Sequence, residues 1–236
     1  MITNHSIVKV CGMRDAENIR EVEKLSTLLS PLPKEDSSLF PLHSSLLFWL
    51  GFIFWPRSSR YVSERPAYLP QKTKRVGVFV DEEIEQVRHI AEEFALDIIQ
   101  LHGTESPEYI RALHAAFSAD TRSAAIPSVI KAFNIATKED FEATKPYEGI
   151  ADYFLFDTKG KSVGGNGEKF DWSVLADYVG ETPFLLSGGI GPDDAARIKA
   201  FHHPRCIGID LNSRFECSPG VKDIQKLSTF LKNVSR

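Results

Sequence analysis

The sequence of 236 residues predicts an α/β protein with the closed (β/α)₈ architecture of a TIM barrel. Eight short apolar segments recur along the chain, and amphipathic segments lie between them. Several of the apolar segments lack polar alternation, which is typical of parallel strands covered on both faces. The length is close to the ~250 residues of a one-domain barrel, so we expect a single domain over 1–236. A doubly wound sheet is the alternative, and eight strands alternating with helices favour the barrel over it.

The predicted strands are short and rich in branched and aromatic residues. In chain order they are Ile7–Cys11, Leu47–Phe54, Val76–Val80, Ile98–Leu101, Val129–Phe133, Tyr153–Asp157, Phe184–Ser187 and Ile207–Asp210.

The predicted helices are located by their N-terminal signals, such as an N-cap side chain, an early proline or acids in the first turn. They are Glu17–Leu29, Asp81–Phe94 with Asp81 as N-cap, Ser106–Phe117 with Ser106 as N-cap, Thr137–Thr144, Gly191–Phe201 and Ser218–Asn233. The Pro- and Ser-rich stretch at about 30–45 is too long for an ordinary loop and is predicted to be an irregular extension below the barrel. After the second strand, Pro66 and Pro70 predict a short or irregular helix.

Composition excludes several classes of function. A formal net charge of −4 provides no basic surface for nucleic acid. The most apolar stretch, Leu46–Trp55, is about half of a membrane span. Three cysteines and no secretory signal favour the cytoplasm over a disulfide framework, and no ligand spacing indicates a metal. A monomer is expected rather than a dimer.

The active site of such a barrel lies at the C-terminal ends of its strands, so polar residues there are informative. Glycines after strand seven let the backbone approach an anion, and strand eight ends in small polar residues beside them. The two segments are Ser187-Gly188-Gly189 and Asp210-Leu211-Asn212-Ser213. Together they indicate a phosphate site, whereas either one alone is also compatible with a tight turn.

Two side chains at these ends are candidates for acid–base chemistry. Cys11 ends strand one immediately before Gly12, although a free cysteine is most often a small buried hydrophobe. Asp157 ends an apolar strand, where a carboxylate is costly to bury unless it is paired or functional. As a pair facing one pocket they could exchange protons with a ligand.

Three further features lie near the same ends. Arg60 lies in a loop after strand two that is predicted to be ordered, and its guanidinium is suited to binding an anionic group. An exposed Arg is, however, usually only solvated. His102 is equally compatible with a ligand contact and with a neutral residue bonded at the strand end. The glycine-rich loop 161–167, which includes Gly165, could fold over a ligand.

In their order and spacing these segments resemble the phosphoribosylanthranilate isomerase family over nearly the whole chain. The matching segments are Lys9–Gly12, Gly51–Ser63, Val76–Asp81, Ile99–Ser106, Phe156–Trp172, Leu186–Gly189 and Ser218–Asp223.

The resemblance implies an isomerase of tryptophan biosynthesis. It implies the Amadori rearrangement of N-(5-phosphoribosyl)anthranilate to 1-(2-carboxyphenylamino)-1-deoxyribulose 5-phosphate without a cofactor. Cys11 would be the general base and Asp157 the general acid. Arg60 would hold the anthranilate carboxylate and the strand-seven and strand-eight residues the phosphate. His102, Gly165 and Asp210 complete the expected substrate contacts.

Three departures from the family pattern stand out. The segment Leu25–Leu46 replaces a short turn, and Leu211-Asn212-Ser213-Arg214 stands where the family usually has Ser-Ser-Gly. The family's Gly-Lys-Thr-Phe-Asp-Trp appears here as Gly167-Glu168-Lys169-Phe170-Asp171-Trp172. Two other functions are alternatives. An indole-glycerol-phosphate synthase would need catalytic Lys and Glu residues at several strand ends, and the sequence does not show them there. A silent barrel used for binding would not need Cys11 and Asp157.

Overall fold

The computed structural model describes residues 6–29, 46–119, 126–158 and 171–235. Eight parallel strands close into a barrel in chain order, which confirms the predicted fold. They are β1 (Ile7–Cys11), β2 (Leu47–Ile53), β3 (Lys74–Phe79), β4 (Ile98–Leu101), β5 (Ser128–Ile135), β6 (Tyr153–Thr158), β7 (Phe184–Ser187) and β8 (Cys206–Leu211). Each overlaps its predicted strand. The extension predicted at about 30–45 lies outside the described residues.

The barrel interior changes from apolar to polar along β1 and β4. Alternate residues of a strand point to the same face, so every second side chain enters the barrel. Near the strand N-termini the inward residues form one apolar cluster, which includes Ile7, Trp49 and Ile98. Two residues further along β1 and β4 stand the buried polar side chains of Lys9 and Gln100. The polar half of the interior therefore lies directly under the C-terminal mouth.

Closure of the barrel depends on a close approach of the last strand to the first. Ile7 pairs with Gly208 in the parallel register of β1 and β8. A Cβ atom at Gly208 would lie 2.1 Å from the Ile7 carbonyl oxygen, so only glycine fits there. This contact brings the end of β8 beside the end of β1.

Helices pack on the outside of the barrel. The α-helices are α1 (Ala16–Leu29), α2 (Ile84–Phe94), α3 (Pro107–Ser118), α4 (Ala195–Ala200) and α5 (Ile224–Ser235), and 3₁₀-helices span Lys138–Tyr147, Trp172–Asp177, Pro192–Asp194 and Ser213–Phe215. The predicted cap of α3 is confirmed, because Ser106 Oγ accepts a hydrogen bond from the Tyr109 N–H at 3.2 Å. The predicted start at Thr137 is also confirmed by a capping box with Asp140. No described helix is long and apolar enough to cross a membrane.

Asp81 is not the N-cap that the sequence predicted. It lies three residues before α2 with a φ of 50°, and Glu83 occupies the N-cap position. The Asp81 carboxylate instead accepts from the Thr104 hydroxyl at 2.9 Å. The prediction was wrong because this side chain ties the β3 and β4 loops together.

The predicted helix start at Ser218 was also wrong. Residues 216–222 form an antiparallel hairpin of β9 (Glu216–Ser218) and β10 (Val221–Lys222), and α5 begins at Ile224. Pro219 resembled a first helical residue, but Gly220 turns the chain back with a φ of 86°. The hairpin carries Glu216 and Lys222 to the barrel mouth, where both take part in the site.

Candidate active site

One cavity opens at the C-terminal mouth of the barrel, with a volume of about 210 Å³. Its lining combines apolar and polar side chains from seven strands or the loops that follow them. The lining residues are Cys11, Ile53, Val78, Gln100, His102, Asp157, Ser187, Gly188, Gly189, Ile190, Asp210, Asn212, Ser213 and Arg214. The cavity thus contains most of the residues that the sequence singled out.

Two predicted residues are not part of this lining. Arg60 stands in the loop after β2, and its guanidinium is bound by Glu216. Gly165 lies outside the described residues. The remaining predicted contacts meet in the cavity: Cys11, His102, Asp157, Gly188, Gly189, Asp210, Asn212 and Ser213.

Cys11 occupies the end of β1 and is 4% exposed. Its register partner on β2 is Gly51, where an added Cβ would lie 3.0 Å from Cys11 Sγ. A glycine therefore leaves room for the thiol. Burial raises the pKa of the Cys11 thiol, while the neighbouring ammonium of Lys9 opposes that rise. Burial thus favours the neutral thiol of Cys11 over its thiolate.

Lys9 and Asp210 form a buried ion pair beneath the thiol. Lys9 Nζ donates to Asp210 Oδ1 at 2.8 Å, and the lysine side chain is fully buried. Ser187 Oγ donates to the other carboxylate oxygen at 3.1 Å. Burial has the largest single effect and lowers the pKa of Lys9, but the charges and hydrogen bonds of Asp210 and Cys11 together raise the pKa overall. Lys9 is thus a permanent positive charge below Cys11.

His102 is held as a neutral ring. Gln100 Nε2 lies 2.9 Å from His102 Nδ1. With the Gln100 amide in this orientation its nitrogen donates and Nδ1 accepts, which assigns the ring proton to Nε2. Burial also lowers the pKa of His102, although Asp157 opposes this. The Nε2–H end is therefore a hydrogen-bond donor that is neutral at pH 7.

Asp157 lies near the end of β6 and is half-buried at the cavity. Its backbone pairs with Asn134 on β5 and Ser187 on β7. Going round the barrel, β6 and β1 are separated by β7 and β8. Asp157 and Cys11 therefore stand apart on the wall of one cavity, with space for a ligand between them.

The neighbouring ends of β7 and β8 bring together the glycines and small polar residues that the sequence singled out for an anion. Gly188 and Gly189 have φ values of 93° and 64°, which residues with a side chain rarely adopt. Asn212 and Ser213 face the same cavity from the end of β8. Arg214 also lines it and forms no ion pair with the described part of the chain. This side of the cavity thus has a local excess of donors and positive charge.

A chain of ions connects this side to Arg60. Arg60 Nε and Nη2 donate to the Glu216 carboxylate at 2.8 and 2.6 Å. Glu216 also accepts from Lys222 Nζ at 2.7 Å, and Lys222 Nζ donates to Asn212 Oδ1 at 2.9 Å. The Arg60 and Lys222 cations lower the pKa of the Glu216 carboxyl against the effect of its burial.

Sequence reasoning missed Gln100, Glu216 and Lys222, together with the role of Lys9. A charged residue inside an otherwise apolar strand was the available signal for Lys9. Glu216 and Lys222 were hidden by the wrong helix start at Ser218. Within the described ranges, no group of three or more His, Cys, Asp or Glu side chains is arranged to hold a metal.

Comparisons with known proteins agree on one family. A family profile described as N-(5′-phosphoribosyl)anthranilate (PRA) isomerase matches residues 47–233. The N-(5′-phosphoribosyl)anthranilate isomerase of Parabacteroides distasonis is 48% identical over 235 residues, which cover 97% of this chain and 93% of that protein.

Solved structures of the same enzyme are similar over almost their whole length. One contains monomers generated from the dimeric phosphoribosylanthranilate isomerase of Thermotoga maritima. It matches with a TM-score of 0.68 and 26% identity, covering 97% of this chain and 98% of that one. Another is a phosphoribosylanthranilate isomerase in complex with reduced 1-(o-carboxyphenylamino)-1-deoxyribulose 5-phosphate. Its TM-score is 0.67 and its identity 28%, with 97% and 98% coverage.

Proposed function

This chain belongs to the N-(5′-phosphoribosyl)anthranilate isomerase family, and we propose that it performs the family's Amadori rearrangement with Cys11 as general base and Asp157 as general acid. One observation carries the assignment of roles. A thiol and a carboxyl group face a single cavity whose wall between them, at β7 and β8, has the features of a phosphate site.

Two proton transfers at the sugar lead to an enolamine, and its tautomerisation then moves a proton from the C2 hydroxyl to C1. Asp157 gives its proton to the furanose ring oxygen, the bond from C1 to that oxygen breaks, and C1 and the nitrogen form an iminium ion. Cys11, as thiolate, removes the proton from C2, and the electron pair neutralises the iminium to give an enolamine. Tautomerisation of the enolamine yields the ketone. The substrate nitrogen accepts the electrons, so the residues need only move protons.

The strand order supports one orientation of the substrate. The phosphate would lie against Gly188, Gly189, Asn212 and Ser213 at the ends of β7 and β8. Ile53 and Val78, at the ends of β2 and β3, form an apolar wall suited to an aromatic ring. Because β1 lies between β8 and β2, this orientation places the ribose beside Cys11.

Arg60 and His102 complete the proposed contacts. Arg60 Nη1 is 3.4 Å from Ser59 Oγ, whereas Nε and Nη2 are bound to Glu216. We assign Nη1 to the anthranilate carboxylate. The Nε2–H of His102 would donate to a substrate oxygen near Asp157. Asp210 would act mainly as the counter-ion of Lys9, since both of its oxygens are engaged.

A turnover assay tests the function directly. Freshly prepared phosphoribosylanthranilate is fluorescent, and its fluorescence should disappear faster in the presence of the folded protein than without it. Loss of signal at only the uncatalysed rate would remove the proposed activity. The product should then be identified as the ketose, because simple hydrolysis also consumes the substrate.

Gly12→Ala should raise KM, whereas its cost in folding free energy should be modest. Gly12 has a φ of 80°, and an added Cβ would lie 2.6 Å from Arg60 Cδ and 2.9 Å from Asn212 Oδ1. The methyl group would displace Arg60 and Asn212, which are two of the proposed substrate contacts. We expect KM to rise about tenfold, equivalent to one weakened charged hydrogen bond. Steady-state kinetics would measure this.

Gly149→Ala is the matched control. Gly149 has a φ of 72°, but nothing lies within 4 Å of its added Cβ. Both substitutions should cost about 1–2 kcal/mol of folding free energy through backbone strain. Only Gly12→Ala should change KM. Equal KM values for the two variants would argue against the proposed orientation.

We further propose that the chain is monomeric and cytoplasmic. The exposed large apolar side chains of the described residues are Leu47 at the start of β2, Ile126 before β5 and Val179 before β7, which are widely separated along the chain. All three cysteines are free, which suits a reducing compartment. Light scattering would test the oligomeric state, since one relative is described as dimeric.

A further inference from the structure

Asn212 stands at the point where an anionic ligand would meet the end of β8. It lines the cavity beside Ser213 and precedes the short 3₁₀-helix Ser213–Phe215. The side-chain amide has two unlike ends, a donor at Nδ2 and an acceptor at Oδ1. The dianion of a phosphate monoester only accepts, so Nδ2 would bind it and Oδ1 would repel it. The direction of this amide therefore determines whether Asn212 helps or opposes binding.

Lys222 determines that direction. Its ammonium can only donate, and it donates to Asn212 Oδ1 at 2.9 Å. With Oδ1 turned towards Lys222, Nδ2 is turned away from it. A serine hydroxyl at position 212 would not need this help, because one oxygen both donates and accepts and can rotate.

The Lys222 side chain is itself held on both sides. Its backbone N–H donates to Asn18 Oδ1 at 2.7 Å, and Asn18 Nδ2 donates to the Lys222 carbonyl at 2.9 Å. Its ammonium donates to Glu216 at 2.7 Å, and the side chain is fully buried. Contacts with α1 and with the β9–β10 hairpin therefore fix both the backbone and the ammonium of this residue.

We propose that Lys222 is a positioning residue that orients the Asn212 amide so that Nδ2 faces the phosphate group of the substrate. The proposal rests on the proposed function for the identity of the phosphate-bearing ligand. It adds a residue that touches no reacting atom. Through Glu216, the same ammonium is also connected to Arg60.

Binding of inorganic phosphate tests the proposal in a cycle of four proteins. These are the wild type, Lys222→Met, Asn212→Ser and the double variant, and binding is measured by calorimetry at one ionic strength. Lys222→Met should weaken binding about tenfold, through the lost charge and the released amide. Asn212→Ser should remain within about threefold of the wild type. In the Asn212→Ser background, Lys222→Met should weaken binding less than about threefold.

Lys222→Met weakens phosphate binding by one factor in the wild-type background and by another in the Asn212→Ser background. The ratio of these factors separates the orienting effect of Lys222 from the effect of its charge. Removing the ammonium costs long-range attraction equally in both backgrounds, whereas only Asn212 needs orienting. Equal losses in both backgrounds would overturn the proposal. So would a wild type that does not bind phosphate at all. Circular dichroism and thermal melting confirm that each variant is folded.

A second measurement needs no change at Lys222. The side-chain NH₂ signals of Asn212 in an NMR spectrum are assigned by their loss in Asn212→Ser. In the wild type they should shift on titration with inorganic phosphate, in step with the binding curve. Phosphate binding without any movement of these signals would overturn the proposal even if Lys222→Met fails to fold.

Neither measurement depends on turnover. If the coupling is found but phosphoribosylanthranilate is not isomerised, the proposed function fails and the role of Lys222 stands. If the substrate is isomerised but the coupling is absent, only the role of Lys222 fails.

Discussion

Asp157→Asn should lower kcat by about 10²–10⁴-fold while the protein remains folded. The asparagine amide has nearly the same shape as the carboxyl group, but it has no proton of suitable acidity to give to the ring oxygen. Without that proton the ring opens slowly and little iminium ion forms. KM should change less than kcat, because Asp157 acts on the reacting bond and the proposed binding contacts lie elsewhere.

Asp177→Asn provides the matched control for this prediction. Asp177 ends the 3₁₀-helix Trp172–Asp177 on the surface and does not line the cavity. The same chemical change there should leave kcat unaltered. Stopped assays, in which the substrate is generated in the reaction mixture, would compare kcat of both variants with that of the wild type. Retention of rate within a few-fold by Asp157→Asn would show that another group protonates the ring oxygen.

Local patterns were sufficient to predict the barrel and the outline of its site. Apolar runs locate the strands because a strand covered on both faces cannot contain many polar residues. The end of each run then marks the barrel mouth, which is how Cys11, Asp157 and the glycines after β7 were found. These deductions require only neighbours in sequence.

The ionic support of the site could not be predicted in this way. Arg60 and Glu216 are 156 positions apart, and Lys9 and Asp210 are 201 positions apart. No spacing rule connects such pairs, because their contact depends on closing the whole barrel. Arg60 was predicted as an anion-binding residue, and the carboxylate that the structure shows beside it belongs to the chain. The anthranilate carboxylate remains a proposed second partner.

Turn geometry produced the other errors. Asp81 and Ser218-Pro219 both have the composition of helix starts, yet neither begins a helix. In each case a positive φ, at Asp81 itself or at Gly220, redirects the chain. Composition alone does not distinguish a cap from a turn that uses the same residues, since both satisfy free backbone N–H groups with a short polar side chain.

Cys11→Ser should lower kcat by about 10²–10⁴-fold, because a serine hydroxyl is a far weaker base than a thiolate at neutral pH. Cys217→Ser is the control, since Cys217 is exposed and lies outside the cavity lining. An unchanged rate for Cys11→Ser would mean that another group removes the C2 proton. Thermal melting should show both variants folded, because serine is only slightly smaller than cysteine.

The titration of Cys11 provides a sharper test of its surroundings. Thiolate absorbance, taken as the difference between the wild type and Cys11→Ser, should appear above the usual pH for cysteine, since burial raises the pKa. Lys9→Met should move the titration to higher pH by removing a positive charge. Asp210→Asn should move it to lower pH by leaving Lys9 unneutralised. Breaking this buried pair costs about 3–5 kcal/mol, so each titration is made below the melting point of the variant.

Cys11 can be a thiol in the free enzyme and still act as a thiolate base, because the chemical steps occur in a particular order. When Asp157 protonates the ring oxygen, the substrate becomes a cationic iminium beside Cys11. A new positive charge beside the thiol favours its ionised form, as an opposite charge does for any acid. The proton of the thiol then passes to solvent at the mouth of the cavity. Lys9 alone therefore need not form the thiolate in the free enzyme. A positively charged, non-reacting analogue should lower the pKa of Cys11 relative to a neutral one. Equal titrations with both analogues would contradict this order.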